Sequence, residues 1–313
     1  MTVGEAIPDL ATKLLRGDRS ATARALTLVE NGEGPADAIL EAIFPHTGKA
    51  HRVGVTGPPG SGKSTLVGGL ARLLRAEGVI VGVIAVDPSS PFTGGALLGD
   101  RIRMIGPSPD DGLFIRSMAS RGNPGGLAAA TADAVDVLDA FGAGCVIVET
   151  VGAGQAEVDV VSLADTVCLV LTPESGDSIQ AMKAGLMEIA DIYVANKADR
   201  PGADRLVHEI EASKKATRTE AAPVITSVAT RGEGLEDLRA AIERHRKDQI
   251  EGAGWRERRR QATRRRIASI VEKNLSQEIW VGDRRGLLDE MTDRVLDGEE
   301  TPRKAAKKVL QGS

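Results

Sequence analysis

A chain of 313 residues, 42% of them hydrophobic, carries enough apolar side chain for a substantial core, and a formal net charge of -4 gives it no general attraction for nucleic acid or an anionic membrane surface. Four Phe, two Trp and one Tyr are too few for a platform on which single-stranded bases stack. The opening MTVGEAIPDLATKLL lacks a basic-then-apolar signal pattern and no apolar run approaches membrane-spanning length, so a cytoplasmic protein that binds neither membrane nor nucleic acid is expected.

From Ile7 to about Phe44 the apolar residues Leu10, Leu14, Leu26, Val29, Ile39 and Ile43 recur at helical spacing and are interrupted at NGEGP, which predicts two or three short helices in an N-terminal segment over residues 1–48. Between residues 49 and 246, short runs rich in β-branched side chains (RVGVTG, VIVGVIAVD, LFIRS, CVIVET, TVCLVL, IYVANK and PVITS) alternate with Ala- and Leu-rich helical patterns such as STLVGGLARLLRAEG. That alternation predicts βα units, hence an α/β domain whose mostly parallel sheet is covered by helices on both faces. Cys145 and Cys168 fall inside two of these runs and read as reduced core thiols. Over residues 247–313 the strand signal stops, and a charged helical pattern carries Trp255, Ile267, Ile270, Leu275, Ile279, Leu287, Leu288, Met291, Val295 and Leu296. A helical arm cannot bury such a stripe alone, so homodimerisation through it is the simplest expectation. The arm also contains WRERRRQATRRR, with seven arginines, which reads as a solvated helix face.

The residues Gly57, Pro58, Pro59, Gly60, Ser61, Gly62, Lys63 and Ser64 spell GPPGSGKS, which fits G-x-x-x-x-G-K-[ST], follows the strand VGVT and opens a helix at Thr65. A glycine-rich strand-to-helix turn lets successive backbone N–H groups point at phosphate oxygens beside a helix N-terminus. In a P-loop NTPase of this kind Lys63 reaches the β- and γ-phosphates and the Ser64 hydroxyl binds Mg2+. The string YVANKAD then places Asn196, Lys197 and Asp199 directly after an apolar strand, at the sheet edge where α/β proteins bind ligands. A carboxylate there accepts both the N1–H and the N2–H2 of guanine, whereas adenine offers no donor in those places, so GTP or GDP is the expected ligand. Downstream, Ser227, Val228 and Ala229 end another strand in ITSVATRGEGLEDL, from which backbone N–H groups are expected to meet guanine O6.

Taken together, VTGPPGSGKSTL, AVDPSSPFTGGALLGDRIRM, RSMASRG, VIVETVGAGQAEVDV, PESGDSIQAMKAG and NKAD resemble the MeaB/ArgK family of P-loop GTPases, to which the human methylmalonic aciduria type A protein belongs, and the resemblance spans nearly the whole chain. It implies a GTP-hydrolysing chaperone that associates with adenosylcobalamin-dependent methylmalonyl-CoA mutase or a related acyl-CoA mutase, gates cofactor loading and protects the mutase, with the cofactor-loading adenosyltransferase as a further candidate partner. It also implies that Asp87, Asp100 and Glu149 form, with Ser64, the acidic shell of Mg2+. Glu149 ends the strand CVIVE, and Gly152 follows it with a backbone N–H for the γ-phosphate.

Where small regulatory GTPases carry a water-orienting glutamine this chain has Ala153, with Gln155 two residues further on, so slow intrinsic hydrolysis is expected. Completion of the site is expected from the polar stretch Glu174–Gly185, the family's third switch, in which Gln180 and Lys183 share one helical face and join Lys63 and Glu149 as candidate catalytic residues. Three other readings stay open. A small-molecule kinase would use the same P-loop for ATP, in line with an older amino-acid transport kinase name for the family. A metallocentre-assembly GTPase of the nickel-chaperone type would carry Cys/His clusters, whereas His46, His51, His208 and His245 are scattered along this chain. A targeting GTPase for ribosomes or membranes is disfavoured by the low aromatic content.

Overall fold

The strands follow from runs of β-branched residues that are apolar on both sides. Such runs are stable only where both faces of a sheet are covered, as in a parallel sheet with crossover helices. A computed structural model describes residues 3–32, 34–87, 110–119, 124–150, 163–174, 186–217, 219, 221–252, 254–280 and 284–311. Its strands are β1 (His51–Thr56), β2 (Val81–Asp87), β3 (Leu113–Ala119), β4 (Cys145–Thr150), β5 (Thr166–Leu171), β6 (Ile192–Asn196) and β7 (Val224–Ser227). They form one sheet in the order β3-β2-β4-β1-β5-β6-β7, with every paired neighbour parallel. The register aligns Val55 with Glu149 and with Cys168, and Asn196 with Ser227. The C-terminal ends of β1, β4, β6 and β7 therefore reach one edge, around the point where strand order reverses on either side of β1.

The helices are α1 (Val3–Leu15), α2 (Arg19–Asn31), α3 (Pro35–Ile43), α4 (Lys63–Ala76), α5 (Pro124–Phe141), α6 (Leu186–Ile189), α7 (Ala203–Thr217), α8 (Leu235–Glu251), α9 (Gly254–Ile279), α10 (Arg284–Leu296) and α11 (Pro302–Gln311). Alternate residues of each strand serve opposite faces. Val53, Val55, Val83, Ile147, Cys168, Val170 and Val194 pack with Leu66 and Leu70 of α4 and Leu238 and Ile242 of α8. Ile84, Val86, Val146 and Val148 face the other way, onto α5. The same core takes in Leu14, Leu26, Ile39 and Ile43, so α1–α3 are built into this face of the sheet and do not form a core of their own. Leu169, Leu171 and Tyr193 complete that face with α6 and α7. The break at NGEGP is a left-handed stop: Gly32, with φ +64°, returns its N–H to the last carbonyls of α2, and Asp18 caps the other end through the Ala21 N–H at 2.8 Å.

The described chain forms two compact units, Met1–Ala262 and Thr263–Ser313. In the second, Met291, Ala305 and Val309 pack α10 on α11 with Leu287 and Val295, beside an apolar cavity of about 440 Å³. Ile267, Ile270, Val271 and Leu275, one side of α9, are exposed. Among the described residues no helix is long and apolar enough to cross a membrane.

The arginine stretch departs from its solvated reading at two positions. Arg259 donates to both carboxylate oxygens of Asp165 at 2.8 and 2.7 Å and to the carbonyls of Gly48 and Ala50, and lies over the Trp255 ring. Arg258 grips Asp191 at 2.6 and 2.7 Å. These pairs close the N-terminal edge of the sheet, opposite the strand ends described above. Leaving either carboxylate unpartnered there costs about 3–5 kcal/mol.

Between them lies a buried relay in which Thr166 Oγ1 is 2.9 Å from His51 Nε2 and 2.8 Å from His245 Nδ1, and His245 Nε2 is 3.3 Å from Asp191. Burial holds the His51 imidazole down at a pKa of about 4; Asp165 pulls it up, while Arg246, His245 and Arg259 push it further down. Burial alone would raise Asp165 and Asp191, but Arg259 with the Arg52 amide, and Arg258 with His245, hold the two carboxyls below the ordinary range. A histidine whose folded pKa lies below its unfolded one contributes stability that is fully present above the unfolded value near 6.5 and is lost as pH falls towards 4. Urea unfolding is therefore expected to show about 2 kcal/mol less stability at pH 5 than at pH 7, with His51→Asn removing most of the difference. An equal slope in the variant would assign the loss to other groups.

Candidate nucleotide-binding site

The site is built where β1 turns into α4. Gly57 sits at φ +142°, and a Cβ there would lie 2.1 Å from the Val170 carbonyl oxygen of the neighbouring strand. Gly62, at φ +88°, has Asn196 Nδ2 where its Cβ would stand, 2.4 Å away. Neither position admits a side chain, which keeps the Gly57–Ser64 backbone against β5 and Asn196. Lys63, nearly buried, donates to the carbonyls of Gly57 at 2.8 Å and Pro58 at 2.9 Å, which hold its ammonium over the loop. Ser64 directs its hydroxyl across the strand gap to Glu149 Oε1 at 2.6 Å. The buried Glu149 at the end of β4 therefore faces the P-loop serine, and the two groups that the sequence assigned to one metal ion stand together.

Asn196 ties the halves of the site together. Its Nδ2 donates to the Ser61 carbonyl of the P-loop at 2.8 Å, and its Oδ1 accepts from the Ser227 hydroxyl at 3.0 Å and the Ala229 N–H at 3.2 Å. With Asn196 buried and all three contacts internal, its role is to clamp the P-loop, β6 and the turn after β7 into one frame. The Ala229 N–H, expected to face guanine O6, is thus engaged with Asn196, and the Val228 N–H donates to the Glu233 carbonyl at 3.1 Å. Lys197 follows with φ +57°, the one non-glycine residue among the described residues in the left-handed region. This turn carries Asp199 to the rim, where its carboxylate is accessible and 3.5 Å from Arg231.

The structure thus brings Gly57–Thr65, Glu149, Asn196–Asp199 and Ser227–Ala229 to one edge. Asp87 ends β2 on the same edge. The side chain of Asp87, and Asp100, Gly152, Ala153, Gln155, Gln180 and Lys183 entirely, lie outside the described residues. Glu174, expected only as the start of the third switch, has a second position in the site, pairing with Lys197 and Arg200 at 3.3 and 3.4 Å. Nothing in the local pattern PESGD announces that pairing. Cys145 and Cys168 are free and buried; burial pushes the Cys145 thiol up to about 12 and raises Cys168 as well, so neither offers a thiolate near neutral pH.

The chain matches, over residues 22–284, the family described as methylmalonyl Co-A mutase-associated GTPase MeaB. A protein of Pyrococcus abyssi named as a GTPase is 49% identical, the alignment covering 97% of this chain and 96% of that protein. GTPase ArgK of Escherichia coli is 44% identical over 60% of this chain and 58% of its own, and the methylmalonic aciduria type A homologue of Mus musculus is 30% identical over 96% and 78%. Among solved structures, one described as a LAO/AO transport system kinase superposes with a TM-score of 0.74 at 25% identity, covering 99% of this chain and 98% of that one. With the P-loop and the Asn196–Asp199 turn on one sheet edge and a family match across most of its length, the chain belongs to the MeaB family of GTPases.

Proposed function

We propose that this GTPase is a chaperone of an adenosylcobalamin-dependent acyl-CoA mutase, methylmalonyl-CoA mutase in the first instance, gating cofactor loading and protecting the mutase from inactivation. The observation that carries the reading is the family match itself, whose description names association with that mutase and which extends beyond the nucleotide site into α9. The exposed stripe Ile267, Ile270, Val271 and Leu275 supports a homodimer through the arm, which would present two nucleotide sites to a dimeric or two-chain mutase.

Mg2+ fits the residues present: a serine hydroxyl and a carboxylate, both hard oxygen donors, already meet at Ser64 and Glu149, with Asp87 and Asp100 proposed to complete the acidic shell. When bound, the ion would neutralise charge developing on the β- and γ-phosphates. The protein's own part is to cradle the phosphates on the Gly57–Ser64 amides, to place the Lys63 ammonium on them, and to read the base through Asp199. Gln180 and Lys183 are proposed to complete the hydrolytic site when the mutase engages their segment.

The test is GTP turnover of the full chain with and without purified mutase, beside capture of mutase from lysate by the tagged protein loaded with GDP or a non-hydrolysable GTP analogue. Retention of a cobalamin-dependent mutase and acceleration of at least about tenfold are expected. Neither retention nor acceleration would overturn the chaperone reading. The kinase description of the structural relative favours a second reading, phosphoryl transfer from ATP to a small molecule. Tighter binding of ATP than of GTP would establish it over the first.

A further inference from the structure

We propose that Glu174 is a positioning residue for the base-reading turn: by bridging Lys197 and Arg200 it holds Asp199 where the guanine edge meets it. The inference rests on the reading that Asp199 contacts the base. Lys197 occupies the left-handed region at φ +57°, a conformation that costs a residue with a Cβ about 1–2 kcal/mol and persists only where its surroundings hold it. On the N-terminal side those surroundings are rigid, since Asn196 is pinned by Ser61, Ser227 and Ala229. Backbone bonds continue through the turn, from the Ala198 N–H to the Ser227 carbonyl at 3.0 Å and from the Arg200 N–H to the Lys197 carbonyl at 2.9 Å.

What remains is a charge problem. The turn places an ammonium and a guanidinium three residues apart on the same rim, and their repulsion opposes its closure. Glu174, arriving from the end of β5, meets both: Oε2 lies 3.3 Å from Lys197 Nζ and Oε1 lies 3.4 Å from Arg200 Nη1. Each oxygen takes one cation, so a single carboxylate closes the turn from the side that Asn196 does not reach. Asp199 stands between the two bridged cations in sequence, and its own nearest cation, Arg231 at 3.5 Å, comes from the turn after β7. The position of the base-reading carboxylate therefore depends on a charge brought from 23 residues upstream of Lys197.

Pairs this exposed are weak as stability elements. Their effect is expected in ligand geometry. Glu174→Gln should leave the unfolding midpoint unchanged, raise the Kd for GDP and the KM for GTP by about three- to tenfold, and leave kcat at saturating GTP within about twofold. Because Asp199 reads both N1–H and the 2-amino group, the preference for GDP over IDP, which lacks that amino group, should narrow in the same variant. Glu174→Asp, which keeps the charge, should recover part of the loss, and at about 1 M salt the gap between variant and wild type should close, as it must for exposed charges. Asp199→Ala is the companion measurement. If Glu174→Gln binds GDP and discriminates IDP as the wild type does while Asp199→Ala loses GDP, the positioning role is overturned and the base assignment stands. If Asp199→Ala also binds GDP normally, the base assignment falls, and this inference falls with it.

Discussion

Lys63→Ala is expected to lower GTP turnover by at least about 10²-fold and to weaken triphosphate binding, because removing one preorganised charge from a phosphoryl-transfer site costs that much where water is largely excluded. Lys63 is buried and its ammonium is held by the Gly57 and Pro58 carbonyls, so it would meet the phosphates from a fixed position and not as a mobile surface charge. The alanine variant also leaves the Gly57 and Pro58 carbonyls without the donor they accept from. Glu149→Ala should lower the rate with a different signature. Its carboxylate accepts from Ser64 and is proposed to hold the metal side of the site, so the variant should lose much of its Mg2+ dependence while keeping the charge of Lys63. Turnover measured across a Mg2+ titration separates the two. A Glu149→Ala protein with the wild-type rate and Mg2+ curve would make this glutamate an ordinary buried strand-end residue, and a Lys63→Ala protein with normal turnover would remove the phosphates from the Gly57–Ser64 loop.

The second large effect concerns the base. Asp199→Asn should cost GDP affinity by about 10²-fold or more and shift preference to xanthine nucleotides, since one of the two hydrogen bonds becomes a donor facing the 2-amino group, the other loses its charged acceptor, and the same amide donor suits the 2-oxo group of xanthine. The carboxylate is accessible in the structure, and Arg231 lies 3.5 Å away at the rim, so the guanine edge can take its place without opening the core. Calorimetry with GDP, XDP and ADP is the measurement. Equal affinity of the wild type for GDP and ADP would remove the guanine assignment, and an Asp199→Asn protein that still prefers GDP to XDP would move the base contact to another residue.

Much of this was legible in the sequence because it is encoded over short distances. Each strand run carries its own two-sided apolar pattern, and GPPGSGKS carries its turn chemistry within eight residues, since only glycine fits beside Val170 and Asn196 at Gly57 and Gly62. Glu149 is expected on the metal side from the family resemblance, and its place at the end of β4 is legible in the run CVIVE. Its partner in space, Ser64, is 85 residues away, and only the β1–β4 register brings the two within 2.6 Å.

The residues whose roles were not legible are those whose partners come from other elements. Arg258 and Arg259 look, in WRERRRQATRRR, like five other arginines; they differ because α9 begins beside the N-terminal ends of β5 and β6, where Asp165 and Asp191 wait at the sheet edge. Asn196 reads as a base-motif residue, yet its side chain is consumed by Ser61, Ser227 and Ala229. Glu174 reads as the start of a polar loop and becomes a bridge only because β5 and β6 are adjacent. By itself, then, the sequence determined the elements, the glycine-rich loop and the position of the aspartate proposed to read the base, because local periodicity and turn chemistry act within a few residues. The tertiary structure alone decided which charges meet, because an ion pair depends on distance through space, and the strand order that sets this distance is a property of the whole chain.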